Sequence, residues 1–242
     1  MCVEVSLAIC RLCQLDRKLC YSHIIPEFLY GPLYNDENKL MGINGRGSKG
    51  WKPLQVGIRE YLLCLDCEQF LNDKYEKPFL KQWRPPDRIA QNSTHSAVYD
   101  YPSFKLFHLS ILFRSSVSSL PTFHEVNLGA HEERIRQMLL SGDPGHVLEY
   151  PVLAFIVLNG RGEVERRLIT CPISGRYEGH LAYGQIYGGA MWWISVSSHR
   201  NNIFRQIGLQ QSGDITMAVV PWNEIGIVQD ASKVLRRASH KV

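Results

Sequence analysis

Leu62-Leu63-Cys64-Leu65-Asp66-Cys67-Glu68 decides how this chain folds once it is read with two earlier stretches, Cys10-Arg11-Leu12-Cys13 and Ser22-His23-Ile24-Ile25-Pro26. Each Cys-x-x-Cys makes a tight turn that brings two sulfurs to one point. Two such pairs supply the four thiolates that tetrahedral zinc takes. One pair alone is a weak signal, whereas two pairs bracketing a histidine in a β-branched run are specific. Four thiolates leave no open coordination position, so the zinc expected at Cys10, Cys13, Cys64 and Cys67 is structural.

Outward from these pairs, Val3 to Ile9 alternates weakly and predicts a short strand leading into the first pair. Cys20 lies outside both pairs and reads as a small buried apolar residue. Tyr21 to Ile25 is aromatic and β-branched around His23, which predicts a strand that Pro26 ends. Glu27 to Tyr30 then opens a short helix, with proline tolerated at its start. Gly31 to Gly57 carries Gly42, Gly45, Gly47 and Gly50 interleaved with Lys39, Arg46, Lys49 and Lys52. It reads as a solvated loop, and its charge also suits a phosphate backbone. Cys64 to Lys77 predicts a helix with Leu65, Phe70, Leu71 and Tyr75 inward, stopped or kinked by Pro78.

The rest of the chain changes texture. Residues 85–100 are polar and bear prolines, which predicts a linker between a unit at 1–84 and a second at 101–242. Pro102 to Ser119 is apolar on most faces and predicts a buried helix. Asn127 to Leu140 predicts a second helix, with Ile135, Met138 and Leu139 inward. From Tyr150 the pattern is of strands: Pro151 to Leu158, Val164 to Cys171, Leu181 to Tyr187, Met191 to Val196 and Ile215 to Val220. Trp192-Trp193 reads as one core and one surface aromatic. The expected class is α+β: a zinc-bearing N-terminal unit, then a helical pair and an antiparallel sheet.

The bulk numbers exclude some functions. A chain of 242 residues carries seven cysteines, too few and too clustered for a secreted disulfide framework. No stretch reaches the roughly 18 apolar residues of a membrane span, and a cytoplasmic location is expected. The formal net charge of +4 permits nucleic acid as a partner without demanding it. The short basic tail from Lys233 to Lys241 adds to it.

The segment from Cys10 to Lys77 resembles the zinc-knuckle branch of the HNH, or His-Me finger, nucleases. Members run CxxC, then Asp-His-Ile-Ile-Pro, then Asn-Leu-x-x-Leu-Cys-x-x-Cys-His. The resemblance covers about the first third of the chain and implies a ββα-metal, treble-clef fold. It implies His23 as the general base that takes a proton from the water attacking phosphorus. It also implies a catalytic magnesium or manganese ion at the scissile phosphate. The substrate would be DNA, or RNA, in a bacterial or phage-defence effector whose C-terminal unit engages a protein partner.

Three positions depart from the pattern. The carboxylate before the histidine is Ser22, the residue after the fourth cysteine is Glu68, and the asparagine before the third cysteine aligns with Arg59. A carboxylate that has changed sides would leave Glu68 and Ser22 as the ligands of the catalytic cation and keep Glu68 beside His23 in catalysis. The competing reading is a site that has lost its metal, leaving an inactive zinc-finger module that binds nucleic acid or a protein. Arg59, Lys74 and Lys49 are the expected nucleic-acid contacts, and Glu27 and Asn72 are spare candidates near the site.

Overall fold

A computed structural model describes residues 7–34, 40–42, 52–54, 57–177, 179–197 and 207–225, with the backbone alone at 40–42, 52–54 and 177. The first cysteine pair sits in the turn between β1 (Leu7–Ile9) and β2 (Asp16–His23), which pair antiparallel. Gln14 closes that turn at φ 59°, in the left-handed region that few side chains adopt. β2 pairs antiparallel with β5 (Arg59–Cys64), so that His23 faces Arg59 at one end and Leu19 faces Cys64 at the other. The sheet order is β1-β2-β5. Within the expected loop, β3 (Leu40–Gly42) and β4 (Lys52–Leu54) form a small hairpin; Lys39, Arg46 and Lys49 lie outside the described residues, as do Val3 and the basic tail.

β5 runs directly into α1 (Leu65–Leu71), giving strand, strand and helix in the order β2, β5, α1. The helix does not stop at Pro78. It passes through a wider π turn, Asn72–Glu76, into α2 (Lys77–Gln82), where Pro78 occupies the first turn. It cannot donate to the preceding turn, and the i→i+5 bond from Lys77 N–H to Asn72 O marks the widened turn that accommodates it. Leu71, Tyr75 and Phe79 are buried along one face, whereas Leu65, expected inward, is 52% exposed because the first turn faces away from the core. Pro26 leads into a 3-10 segment, Glu27–Leu33, on the other side of His23.

The helical pair is α3 (Tyr101–Val117) and α4 (Ala130–Ser141). Asp100 caps α3 by accepting from the Ser103 backbone N–H at 3.1 Å, and Gly142 ends α4 at φ 72°. The second sheet has the order β6-β11-β7-β10-β9-β8: β6 (Thr94–Val98), β7 (Val152–Leu158), β8 (Ile173–Tyr177), β9 (His180–Tyr187), β10 (Ala190–Ser195) and β11 (Asp214–Pro221). It departs from the expected antiparallel sheet because β11 lies parallel to β7, which makes the sheet mixed. β6 comes from the stretch expected to be a linker; its alternating exposure marks an edge strand, too polar to stand out in the sequence. Val164 to Cys171 is not a strand. Its backbone and side chains tie instead to the chain just after α2: Val164 N–H donates to Asp87 O at 2.9 Å, and Arg166 donates to Pro85 O at 2.6 Å and to Asp87 at 2.7 Å.

One apolar cluster runs from Cys10, Ile24 and Leu63 through Phe79, Phe104 and Phe107 to Trp192 and Met217. The first 84 residues and the rest of the chain therefore share a core. Polar ties cross the same boundary. Tyr75 donates to Leu139 O at 2.6 Å, and Glu60 accepts from Ser118 Oγ at 2.6 Å and from the Ser119 backbone N–H at 3.1 Å. Trp192 is buried on the inner face of the sheet while its neighbour Trp193 lies half-buried on the outer face with Leu153, as the sequence suggests.

Lys105, on α3, is 1% exposed and donates to Tyr101 Oη at 3.1 Å and His146 O at 3.0 Å. Burial pulls its ammonium down to about 7, against the partial support of Glu149 and Asp143. Between that value and the ordinary lysine value of about 10.4, the unfolded chain binds a proton that the folded chain does not. Stability contributed by this group therefore rises with pH across that window and is lost as pH falls through 7. In urea melts from pH 6.5 to 9, Lys105→Met is expected to flatten the rise shown by the parent; parallel curves would show that Lys105 titrates normally.

Candidate functional site

The four cysteines converge because the turn after β1 and the start of α1 lie at the same end of the β2–β5 ladder. Their sulfurs all lie within 4.8 Å of one another, the only such group of metal-ligating side chains among the described residues. Cys13 Sγ and Cys64 Sγ are 3.9 Å apart. A regular tetrahedron with metal–sulfur bonds of about 2.3 Å has sulfur–sulfur edges of about 3.8 Å, so the set fits a four-thiolate metal ion. The Cys64 backbone N–H donates to Cys10 Sγ at 3.3 Å, as a thiolate accepts. The hydrogen bond with Cys67 pulls the Cys10 thiol down to about 4, and that same bond, with burial, pushes Cys67 up. Cys10 is thus the sulfur that gives up its proton first, and a dication would favour the same loss at its neighbours. Arg136 of α4 supports the turn from outside, donating to Leu12 O at 2.6 Å while paired with Glu133 at 2.7 Å.

His23 stands at the far end of the same ladder. Its Nε2 accepts from Arg59 Nε at 2.7 Å, and the same nitrogen contacts Glu27 Oε2. Arg59 Nη2 lies 3.4 Å from Glu27 Oε2, and Tyr34 donates its hydroxyl to Glu27 Oε1. Burial lowers His23 to about 4; Glu27 opposes this, while Arg59 and Arg114 reinforce it. Burial raises Glu27, but the Tyr34 hydroxyl, His23 and Arg59 together leave its carboxyl below the ordinary range. At neutral pH the ring is therefore an unprotonated base. A proton arriving on Nε2 meets the Glu27 carboxylate, and its departure is met by Arg59. The side chains are 17% exposed at His23, 27% at Arg59 and 43% at Glu27, so solvent and ligand reach the cluster.

Ser22 is buried in the sheet and Glu68 half-buried on α1. Ser22 is 1% exposed, and its hydroxyl is spent within the fold: it accepts from the Leu63 backbone N–H and donates to Cys20 O, both at 3.3 Å. Glu68 is raised by burial and pulled back by Arg114 and Ser22, and its buried Oε1 has no partner among the described residues. The carboxylate that acts most on His23 is Glu27. Ser22 keeps one lone pair after accepting from Leu63 but is buried, and Arg114 brings a positive charge to Glu68. Lys74 is exposed on the π turn, and Lys49 lies outside the described residues.

Sequence reasoning held Glu27 only as a spare and missed Tyr34 and Arg114. The Glu27 signal was its spacing, four residues after His23 across a proline-led turn. The Arg114 signal was a lone arginine near the end of an apolar helix. No protein-family model matches the chain, and neither a curated protein nor a solved structure does.

One metal ion per chain is the expected content by elemental analysis. Cobalt loading is expected to give the visible spectrum of a tetrahedral tetrathiolate. Cys64→Ser should lose that spectrum and lower the melting temperature by roughly 10 °C. A variant that keeps both would remove Cys64 from the ligand set.

Proposed function

We propose that this chain is an HNH-like endonuclease that hydrolyses phosphodiester bonds in DNA, with RNA the lesser alternative, and that zinc on Cys10, Cys13, Cys64 and Cys67 ties the end of the β2–β5 ladder opposite His23. The observation that supports it most is the arrangement at Nε2: a neutral imidazole between a fixed cation and a fixed carboxylate, at the open end of a strand–strand–helix unit.

In this reading a water beside the scissile phosphate gives its proton to His23 Nε2 as its oxygen bonds to phosphorus. The new imidazolium proton is held by Glu27. Arg59 leaves Nε2 for the phosphoryl oxygens when the phosphate binds, which frees the lone pair that takes the proton; there its guanidinium meets the charge that grows as the P–O bond to the leaving sugar oxygen breaks, and that oxygen takes a proton from solvent. Tyr34, pushed up to about 12 by burial and by Glu27, stays protonated and keeps Glu27 oriented. The divalent cation implied by the resemblance would neutralise phosphate charge when bound.

A second reading has its own support in the spent hydroxyl of Ser22 at the position of the family carboxylate: a zinc-knit module that binds nucleic acid or protein without cutting. A cleavage assay separates the two. Supercoiled plasmid, single-stranded DNA and RNA are incubated with magnesium, with manganese and with chelator. The nuclease reading expects cutting by the parent and a loss of about a thousandfold in His23→Ala of equal zinc content. Binding retained in both proteins with no cutting by either supports the module instead.

The pH dependence follows from the signs above. The parent rate is expected to be flat from pH 5.5 to 8, because His23 is already deprotonated. Arg59→Ala removes a cation that depresses His23, so its rate should fall at acid pH with a midpoint moved up from about 4 toward the ordinary histidine value of about 6.5. An unmoved midpoint in pH–rate profiles of the two proteins would remove Arg59 from the electrostatics of His23.

A further inference from the structure

Arg114 lies on α3, more than thirty residues beyond the segment that carries the nuclease resemblance, yet it ends inside the His23 site. Its residue is 1% exposed. Nη1 donates to the backbone carbonyl of His23 at 3.0 Å, and Nη2 pairs with Glu76 Oε1 at 2.9 Å. Nε donates to Ser110 O at 3.3 Å, and Nη2 also reaches Ser110 Oγ at 3.4 Å. The planar fork is thus fixed on its own helix, on the π turn after α1 and on the residue that bears the imidazole. A lysine could not make that set, because a single ammonium cannot bridge a carbonyl and a carboxylate held apart by a guanidinium.

A buried guanidinium rarely adds net stability, since desolvation offsets most of the pairing energy. Arg114 also contacts the backbone carbonyl of the residue that carries the candidate base. Its charge stands beside Glu68, at the corner where the resemblance places a divalent cation. We propose that Arg114 is the positioning residue of this site: from the helical pair it fixes the His23 backbone, and thereby the ring, and it stands as the resident cation beside Glu68 and Glu76. The helical pair is then part of the site and not an appendage to it. This rests on the nuclease reading for its consequence in catalysis, but the positioning itself is measurable without activity.

The test uses the full chain. Arg114→Lys keeps the charge without the fork, and Arg114→Met/Glu76→Gln removes the ion pair as a pair, so that no buried charge is stranded if the single change unfolds the chain. Zinc content and melting confirm the fold of each. Nitrogen-15 spectra of the histidine rings give a signature for His23, with the other histidines as internal controls. The positioning role predicts that the His23 signal alone shifts in both variants. It also predicts kcat lower by roughly ten- to a hundredfold with KM within about twofold, as expected for a base displaced by about an ångström, and a smaller loss in Arg114→Lys than in the double variant. A native His23 signal with native kcat in zinc-replete variants overturns the proposal. If the parent and His23→Ala cut equally, or neither cuts, the nuclease reading fails on its own account, and the His23 signal still decides the role of Arg114.

Discussion

Four sulfurs from two segments more than fifty residues apart occupy one small volume, and the other placements follow from that closure. The first pair sits on the turn into β2; the second sits where β5 turns into α1. Bringing them together pairs the two strands, and a one-residue shift in the pairing between Cys20 and Tyr21 then sets His23 opposite Arg59 at the other end, where the register of the cysteine end would have faced it with Glu60. The short helical elements of this region would be marginal alone. With the strand ends gathered at the four cysteines, a group that fits a metal ion, and Leu71, Tyr75 and Phe79 buried in the shared core, they have one arrangement.

Two arginines from the helical pair complete the same frame. Arg136 holds the carbonyl of Leu12 within the first cysteine turn, and Arg114 holds the carbonyl of His23. Each spends a buried or nearly buried charge on a backbone oxygen in the N-terminal region and is paired with a glutamate, Glu133 or Glu76. A carbonyl that accepts from a fixed guanidinium is held more narrowly than one that accepts from water. The helices thus act at both ends of the β2–β5 ladder, at the cysteine cluster and at the imidazole. The continuous apolar core from Cys10 to Met217 has the same consequence at the level of packing.

Much of this was legible in the residues. The cysteine spacing placed the metal cluster, the all-round apolar run placed α3, and the β-branched runs placed β7, β9, β10 and β11. What was not legible was mostly decided by tertiary partners. Thr94 to Val98 is polar and alternating, and becomes a strand only because the edge of β11 is there to receive it. Val164 to Cys171 has strand-like composition, but Arg166 is claimed by Asp87 and Pro85. The parallel pairing of β11 with β7 depends on a long connection whose path no local pattern records. At the site, His23 and Arg59 stood out by motif, whereas Glu27 was only a spare. Its importance comes from a 3-10 segment that folds back on His23, and that of Arg114 from a helix distant in sequence. Glu68 stood out because it follows a cysteine pair, yet burial and Arg114 give it an environment unlike that of a solvent-facing metal ligand.

The central claim is that His23 Nε2, released from Arg59, is the atom that meets the attacking water. A crystal structure of the zinc-loaded chain with a short DNA strand carrying a hydrolysis-resistant phosphorothioate linkage tests it most directly. The account predicts a water within hydrogen-bonding distance of Nε2 and in line with the phosphorus, Arg59 turned from the imidazole onto the phosphoryl oxygens, and Arg114 still on the His23 carbonyl. A strand bound elsewhere on the surface, with Arg59 still closing Nε2, would contradict it and identify the fold as a binding scaffold.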